Sequence, residues 1–392
     1  MTQECLANRA NISVGVVKKL ERGGTARVDT YHRLARALGV ETQNLFETDG
    51  PHSTTRADDD NIDLMPLRQA IAPAVTFTGR IDPPILSVAE PNLPQLQRTA
   101  RAVGVAYHSD RYGEVAELLP TLVQSAHAAV SHFDTGPDHA AAIRVRSDVL
   151  QMAGRYLTQV RAYDLAHIAL RDSIQDAAKI EDMEAVAAAV YQQGWLLMRQ
   201  GRLDEAERVS VATADAVEPR ISRATRPALG AWGKLLVHGS AAAARNNRPT
   251  EAREILRLGR TAGAALGGAE AVAVSSWGRF DWRTVAFQGI ENQLVAEKPD
   301  RVLRLSERMP QPVDKKGRVF MRRHLLDVAH AHLMMRQPDE ATDILYVVFH
   351  DTPEWLRHQR MAADTFREVL KKGKRRRLSA KQRELASFFG AR

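Results

Sequence analysis

From Leu96 onward, apolar residues, mostly Ala, Leu and Val, recur at the three- and four-residue steps of an amphipathic helix, and no segment alternates convincingly as a strand. This body is expected to be all-α. The pattern before it differs. Residues 47–63 turn polar, with Gly50-Pro51, Ser53-Thr54-Thr55 and Asp58-Asp59-Asp60, and read as a linker. Pro66, Pro73, Pro83, Pro84, Pro91 and Pro94 then leave room for little continuous helix beyond a short one over residues 64–72. The expected organisation is residues 1–47, a connector over 48–95, and the helical body over 96–392.

The first fifty residues carry a tight pair of helices. Thr2 caps a helix with Leu6 and Ala7 inward, which ends near Ala10. Asn11 falls where the chain must turn sharply, and Asn tolerates the left-handed conformation. Ser13 is placed to cap a second helix, Val17 and Leu20 form its buried edge, and Gly23 stops it. The opposite face presents Val14, Gly15, Lys18 and Lys19, with Ser13 at the end that enters a major groove in helix-turn-helix readers.

The run Thr2-Gln3-Glu4-Cys5-Leu6-Ala7, a turn, then Ser13-Val14-Gly15-Val16-Val17-Lys18-Lys19-Leu20-Glu21-Arg22-Gly23 resembles the phage-repressor-like (XRE) helix-turn-helix family. Residues 29–40 are similar to that family's fourth helix. The resemblance implies double-stranded DNA as partner, with Gln3 on a phosphate and against the reading helix, Ser13 at the end that enters the groove, base-edge contacts from Val14, Gly15 and Lys18, and Lys19 nearby. Glu21, Arg22 and Leu34 are expected to hold the domain together. In the family another helix precedes the one that begins here at Thr2, so the domain lacks its first helix as written, and a start upstream of Met1 is expected.

The body repeats. A helix with a small residue, a polar turn and an Asp or Glu shortly before a second small residue recurs six times. The second small position falls at Val115, Ala166, Ala206, Ala252, Val302 and Ala341, and twelve residues earlier stand Val103, Gly154, Gly194, Ser240, Ile290 and Ala329. Pro249, Pro299 and Pro338 each stand three residues before their marker, where a first-turn proline starts a helix without losing a bond. The unit resembles the tetratricopeptide repeat, most clearly in Gly201-Arg202-Leu203-Asp204-Glu205-Ala206. Marker spacings of 39 to 51 residues exceed that family's period of about 34, so the copies are TPR-like.

The resemblance implies an α-solenoid whose first helices line a concave face. Projected onto the repeats, Gln151, Arg155, Gln159, Tyr191, Trp195, Arg199, Arg245, Glu291, Arg323 and His330 fall on that face. Aromatics beside arginines suit a peptide, an acidic small molecule or a protein partner. Tyr191 and Trp195 have a second reading, as fillers between repeats, and Gln151 and Arg155 as ordinary solvent-exposed positions.

Composition narrows the function classes. The single cysteine, Cys5, excludes a disulfide framework and a cysteine zinc site and suits a reducing cytoplasm. No run of eighteen apolar residues points to a membrane span. The net charge of +8 is concentrated: residues 356–392 carry twelve Lys or Arg against three Asp or Glu. The run Lys371-Lys372-Gly373-Lys374-Arg375-Arg376-Arg377 reads either as a solvated loop or as a source of non-specific phosphate contacts. Enzyme chemistry finds no motif. His324, His330 and His332 lack the four-residue step of a helical metal pair and read as a surface helix. There is no phosphate loop and no nucleophile elbow, and residues 259–268 read as an Ala-rich repeat turn. Neither a metal nor a cofactor is expected. The patch Trp277-Gly278-Arg279-Phe280-Asp281-Trp282 reads as a loop folding over the solenoid.

A reader of this type joined to a TPR-like body resembles two groups of bacterial regulators, the peptide-sensing quorum regulators and a large actinobacterial set with the same order of parts, the second more closely. The resemblance implies a homodimeric transcriptional regulator that is not an enzyme, whose groove ligand changes operator affinity. Two other readings are a TPR-like interaction scaffold with a vestigial reader and an antitoxin or phage-type repressor acting with a protein partner, which the long six-copy body makes less natural.

Overall fold

The computed structural model describes residues 2–24, 26–45, 64–74, 77, 91–267, 271–273, 279–310, 318–372 and 378–391. The expected linker at 47–63 lies outside the described residues, as do most of the connector, Trp277, Gly278 and the basic run from Gly373 to Arg377. The fold is all-α, as the apolar spacing predicts: the described residues form helices, two 3₁₀ turns and one pair of two-residue strands.

The chain divides into two compact units. Residues 1–101 and 116–282 make the first, 102–115 and 283–392 the second. The first unit begins with α1 (Gln3–Arg9), α2 (Val14–Glu21) and α3 (Val28–Leu38), followed by a 3₁₀ turn, Thr42–Leu45. The short helix expected over 64–72 is α4 (Met65–Ile71). Then come α5 (Leu93–His108), α6 (Tyr112–His132), α7 (His139–Gln159), α8 (Tyr163–Lys179), α9 (Met183–Gln200), α10 (Leu203–Ala216), α11 (Arg226–Arg245) and α12 (Pro249–Ala265). From α7 to α12 each helix packs on the next, and α9 also packs on both α7 and α11. A strand pair absent from the sequence reading, β1 (Val272–Ala273) and β2 (Arg279–Phe280), lies against α11.

The second unit holds α13 (Trp282–Val295), α14 (Pro299–Ser306), α15 (Arg318–Met334), α16 (Pro338–Asp351), α17 (Pro353–Arg357), α18 (Arg360–Lys372) and α19 (Ala380–Phe388), together with the α5–α6 turn. Ile290, Leu294, Val302 and Ala331 form one of its apolar clusters, and Leu326, Leu345, Leu356 and Phe366 anchor another. The Asp110 carboxylate of that turn pairs with Arg322 at 2.7 Å, and Arg322 also reaches Asp351 at 3.1 Å. Burial nevertheless pushes the Asp110 carboxyl up, against the opposing pull of Arg322.

One backbone device repeats in all six copies. The left-handed residue that ends the first helix is Asp110, Arg161, Gly201, Asn247, Glu297 or Arg336, each five residues before its marker. In every copy the next N–H donates to the carbonyl five residues back, for instance Arg202 to Leu197 and Arg248 to Ala243. This is the Schellman stop, which satisfies the orphan carbonyls of a helix end. All six markers and all three prolines take their expected places: the markers are at most 2% exposed, and Pro249, Pro299 and Pro338 open α12, α14 and α16.

The small residues twelve positions earlier set how closely the paired helices approach. A Cβ on Gly154 would stand 2.4 Å from Leu170 Cγ, one on Gly194 would stand 3.1 Å from Ser210 Oγ, and the Ser240 hydroxyl donates to the Ala252 carbonyl at 2.7 Å. Gly154→Ala is therefore expected to destabilise by about 1–3 kcal/mol through overpacking. Gly113→Ala, where the added Cβ meets nothing, should stabilise by about 0.5–1 kcal/mol. Urea unfolding midpoints of the two variants check the opposite signs. Residues 259–265, by contrast, are not a turn. Gly259 and Gly263 are buried in α12, and a Cβ on Gly263 would come within 3.0 Å of the Trp282 backbone.

Candidate functional site

The N-terminal helices are capped as their sequence dictates. The Thr2 hydroxyl accepts from the Cys5 N–H at 3.2 Å and the Ser13 hydroxyl from the Val16 N–H at 3.3 Å, while Asn11 (φ 51°) and Gly23 (φ 78°) take left-handed turns. Ala7, Ala10, Val17, Leu34 and Ala37 form a small core. On the far side of α2, Gly15, Lys18 and Lys19 are exposed, with Ser13 at the N-terminal end. Val14 departs from the expected face, because its side chain is half-buried against that core. The Gln3 amide donates to the Glu21 carboxylate, tying the start of α1 to the end of α2.

The head is held to the first unit's body through the end of α11. The Arg245 carbonyl accepts from the Thr42 hydroxyl at 2.7 Å and contacts the His32 Nδ1. The Asn247 amide donates to the Val40 carbonyl at 3.0 Å, and the Thr42 N–H donates to the Asn246 carbonyl at 3.3 Å. Glu41 lies 3.7 Å from the Arg248 guanidinium. Arg245, expected in the groove, thus stands at this junction, and its own guanidinium turns back to the Ala241 carbonyl at 3.1 Å. Thr42→Val removes the best-formed of these bonds. We expect a loss of about 1 kcal/mol and faster hydrogen exchange in α3, the check being exchange measured on both proteins.

The other groove candidates of the first unit lie on two helical stripes. Gln151, Arg155 and Gln159 follow one another at four-residue steps on α7, and Tyr191, Trp195 and Arg199 do so on α9. Gln151 and Gln159 are not solvent-exposed positions, being 3% and 4% exposed. The Arg199 guanidinium reaches Gln159 Oε1 at 3.5 Å and sits 5.1 Å from the Trp195 ring centre. Neither Gln151 Oε1 nor Gln159 Nε2 has a protein hydrogen-bond partner among the described residues.

A third stripe was not foreseen. Lys234 and His238 stand four apart on α11, a helix buried throughout residues 229–244. The Lys234 ammonium lies 4.6 Å from the Tyr191 ring centre, and the His238 ring stacks on Tyr191 at 3.8 Å. Burial pulls the Lys234 pKa down to about 7, and the Arg155 charge adds to the effect. Next to it Gly233 admits the Phe280 ring of β2, whose Cζ would be 2.2 Å from a Cβ there. One signal was present in the chain: Lys234 is the only charged residue between Arg226 and Arg245. Farther along α7, burial pushes the Asp148 carboxyl up to about 6, opposed by Arg144.

The second unit contains the remaining candidates. Arg323 pairs with Glu291 at 2.8 Å and with Asp327 at 3.4 Å, and His330 Nδ1 meets the Thr365 hydroxyl at 3.1 Å. The surface-helix reading fails for His324, which is 3% exposed and tilts against Phe287 at 4.6 Å. Burial lowers its pKa to about 4. No group of three His, Cys, Asp or Glu among the described residues has metal-binding geometry, and no helix among them is long and apolar enough to cross a membrane. No family model, curated protein or solved structure matches the chain.

Proposed function

We propose that the chain is a sequence-specific DNA-binding transcriptional regulator, with α1 to α3 as an XRE-type helix-turn-helix head and the TPR-like body as its sensor and dimerisation part. The observation that carries this reading is the exposed face of α2. Gly15 beside the capped N-terminus and Lys18 and Lys19 in the last turn are exposed, on a helix whose other side is packed into a core. Such a face presents cations to phosphates and leaves room for a backbone to approach base edges. The sensor role is supported by the polar stripes of α7, α9 and α11, and α11 also carries the carbonyl that receives the head. A ligand held on α11 thus has a short physical route to the reading helix. Two-fold pairing would double the few base contacts one short helix offers.

The direct test is a fluorescence titration of the chain on duplexes from its own upstream region and on shuffled duplexes, over a range of salt. The proposal expects tighter binding to the native duplex at every salt concentration, and equal affinities for both would count against it.

A further inference from the structure

We infer that the face built by α7, α9 and α11 binds the anionic group, carboxylate or phosphate, of a small molecule, with Lys234 and Arg155 as the pairing cations. The inference deepens the sensor reading above and rests on it.

The argument begins with an ammonium in the wrong place. Lys234 is 4% exposed, and among the described residues it has neither a salt bridge nor a hydrogen bond. Its ammonium lies 4.6 Å from the centre of the Tyr191 ring. A cation withdrawn from water costs several kcal/mol unless it is paired. The charge it feels is another cation, Arg155 from α7, so the neighbourhood makes the cost larger. The remaining groups that face it are Tyr191 from α9 and His238 one turn along α11, while the β1–β2 pair contributes Phe280 against the adjacent Gly233. None of these is an acid.

An anion supplied from outside changes both signs. It pairs with Lys234, and it turns the Lys234–Arg155 repulsion into two attractions to one partner. On α7, Gln159 Nε2 is a donor that fits an anion's oxygen, whereas Gln151 Oε1 is an acceptor and fits only an N–H or O–H elsewhere on the ligand. Gln151 Oε1 and Gln159 Nε2 are buried, and each lacks a protein partner, one an acceptor and one a donor. Unpaired buried amide atoms are costly in a finished core and ordinary in an empty binding site. Because Lys234 and the two amides are buried and Arg155 is half-buried, the site suits an end group and not a passing polypeptide backbone.

The test uses the full chain, with inorganic phosphate and acetate as separate probes in isothermal titration, and with Lys234→Met, Arg155→Gln and Arg171→Gln as variants. Wild type should bind at least one probe saturably. Lys234→Met and Arg155→Gln should each weaken that binding by about tenfold or more, and Arg171→Gln, on an exposed part of α8, should leave it unchanged. Preference for phosphate assigns a phosphorylated ligand, and preference for acetate a carboxylate. In wild type the Lys234 ¹⁵Nζ resonance should titrate at higher pH once the probe is bound. Absence of saturable binding by either probe, or equal binding by wild type and Lys234→Met, would overturn the inference. No DNA enters the assay, so its failure leaves the head's reading untouched, and failure of DNA binding leaves this site untouched.

Discussion

Lys234→Met is expected to make the protein more stable, by up to about 5 kcal/mol at mildly acidic pH at about 1.4 kcal/mol per pKa unit. The sign follows from where the proton sits. The ordinary lysine pKa of 10.5 falls to about 7 in the folded chain because the group is buried, with Arg155 adding to the effect. Below about pH 7 both folded and unfolded chains hold the proton, so the fold bears the whole cost of the buried charge. Between about 7 and 10.5 the folded chain has released the proton and the unfolded chain has kept it, so wild-type stability rises with pH. Methionine has a similar length and no charge, so the variant's advantage should be largest near pH 6 and vanish toward pH 10.5. Denaturant midpoints of both proteins across that range check the result. A variant less stable at every pH would show that Lys234 makes a stabilising contact.

Lys18→Ala combined with Lys19→Ala is expected to abolish most DNA affinity while leaving the fold intact, since both side chains are exposed on α2. Two lost phosphate contacts would reduce the slope of log affinity against log salt by about 2. If Lys18 reaches a base edge instead, the loss is about 1–3 kcal/mol at one base pair and preference relaxes there. The salt series distinguishes these, because a phosphate contact weakens all duplexes alike. An unchanged affinity and slope would remove α2 from the interface.

How much of this was legible beforehand depends on the range of the interactions. The caps at Thr2 and Ser13 and the turn at Asn11 are local, and their side-chain chemistry states them outright. The repeat markers were legible because a buried small residue tolerates few substitutes. The polar turn before each marker was legible, but its left-handed residue was not, because only Gly201 and Asn247 are of a type that favours that conformation. Asp110, Arg161, Glu297 and Arg336 adopt it under the pull of the Schellman bonds and the packing around them. That is why the copy around Gly201 looks clearest in sequence. Burial of polar side chains was the other gap. Gln151 and His324 are polar and therefore read as exposed, yet the packing of neighbouring helices leaves each 3% exposed. The junction of the head with α11 joins residues 213 apart, and no local pattern announces a carbonyl as the acceptor.

Selection of bound duplexes from a random pool by the full chain, with the Lys18→Ala plus Lys19→Ala variant alongside, tests the central claim most directly. The account predicts that wild type enriches one defined motif and the variant enriches none. If both proteins return unenriched pools, or the same motif, α2 does not read DNA, and an interaction scaffold becomes the better account of the helical body.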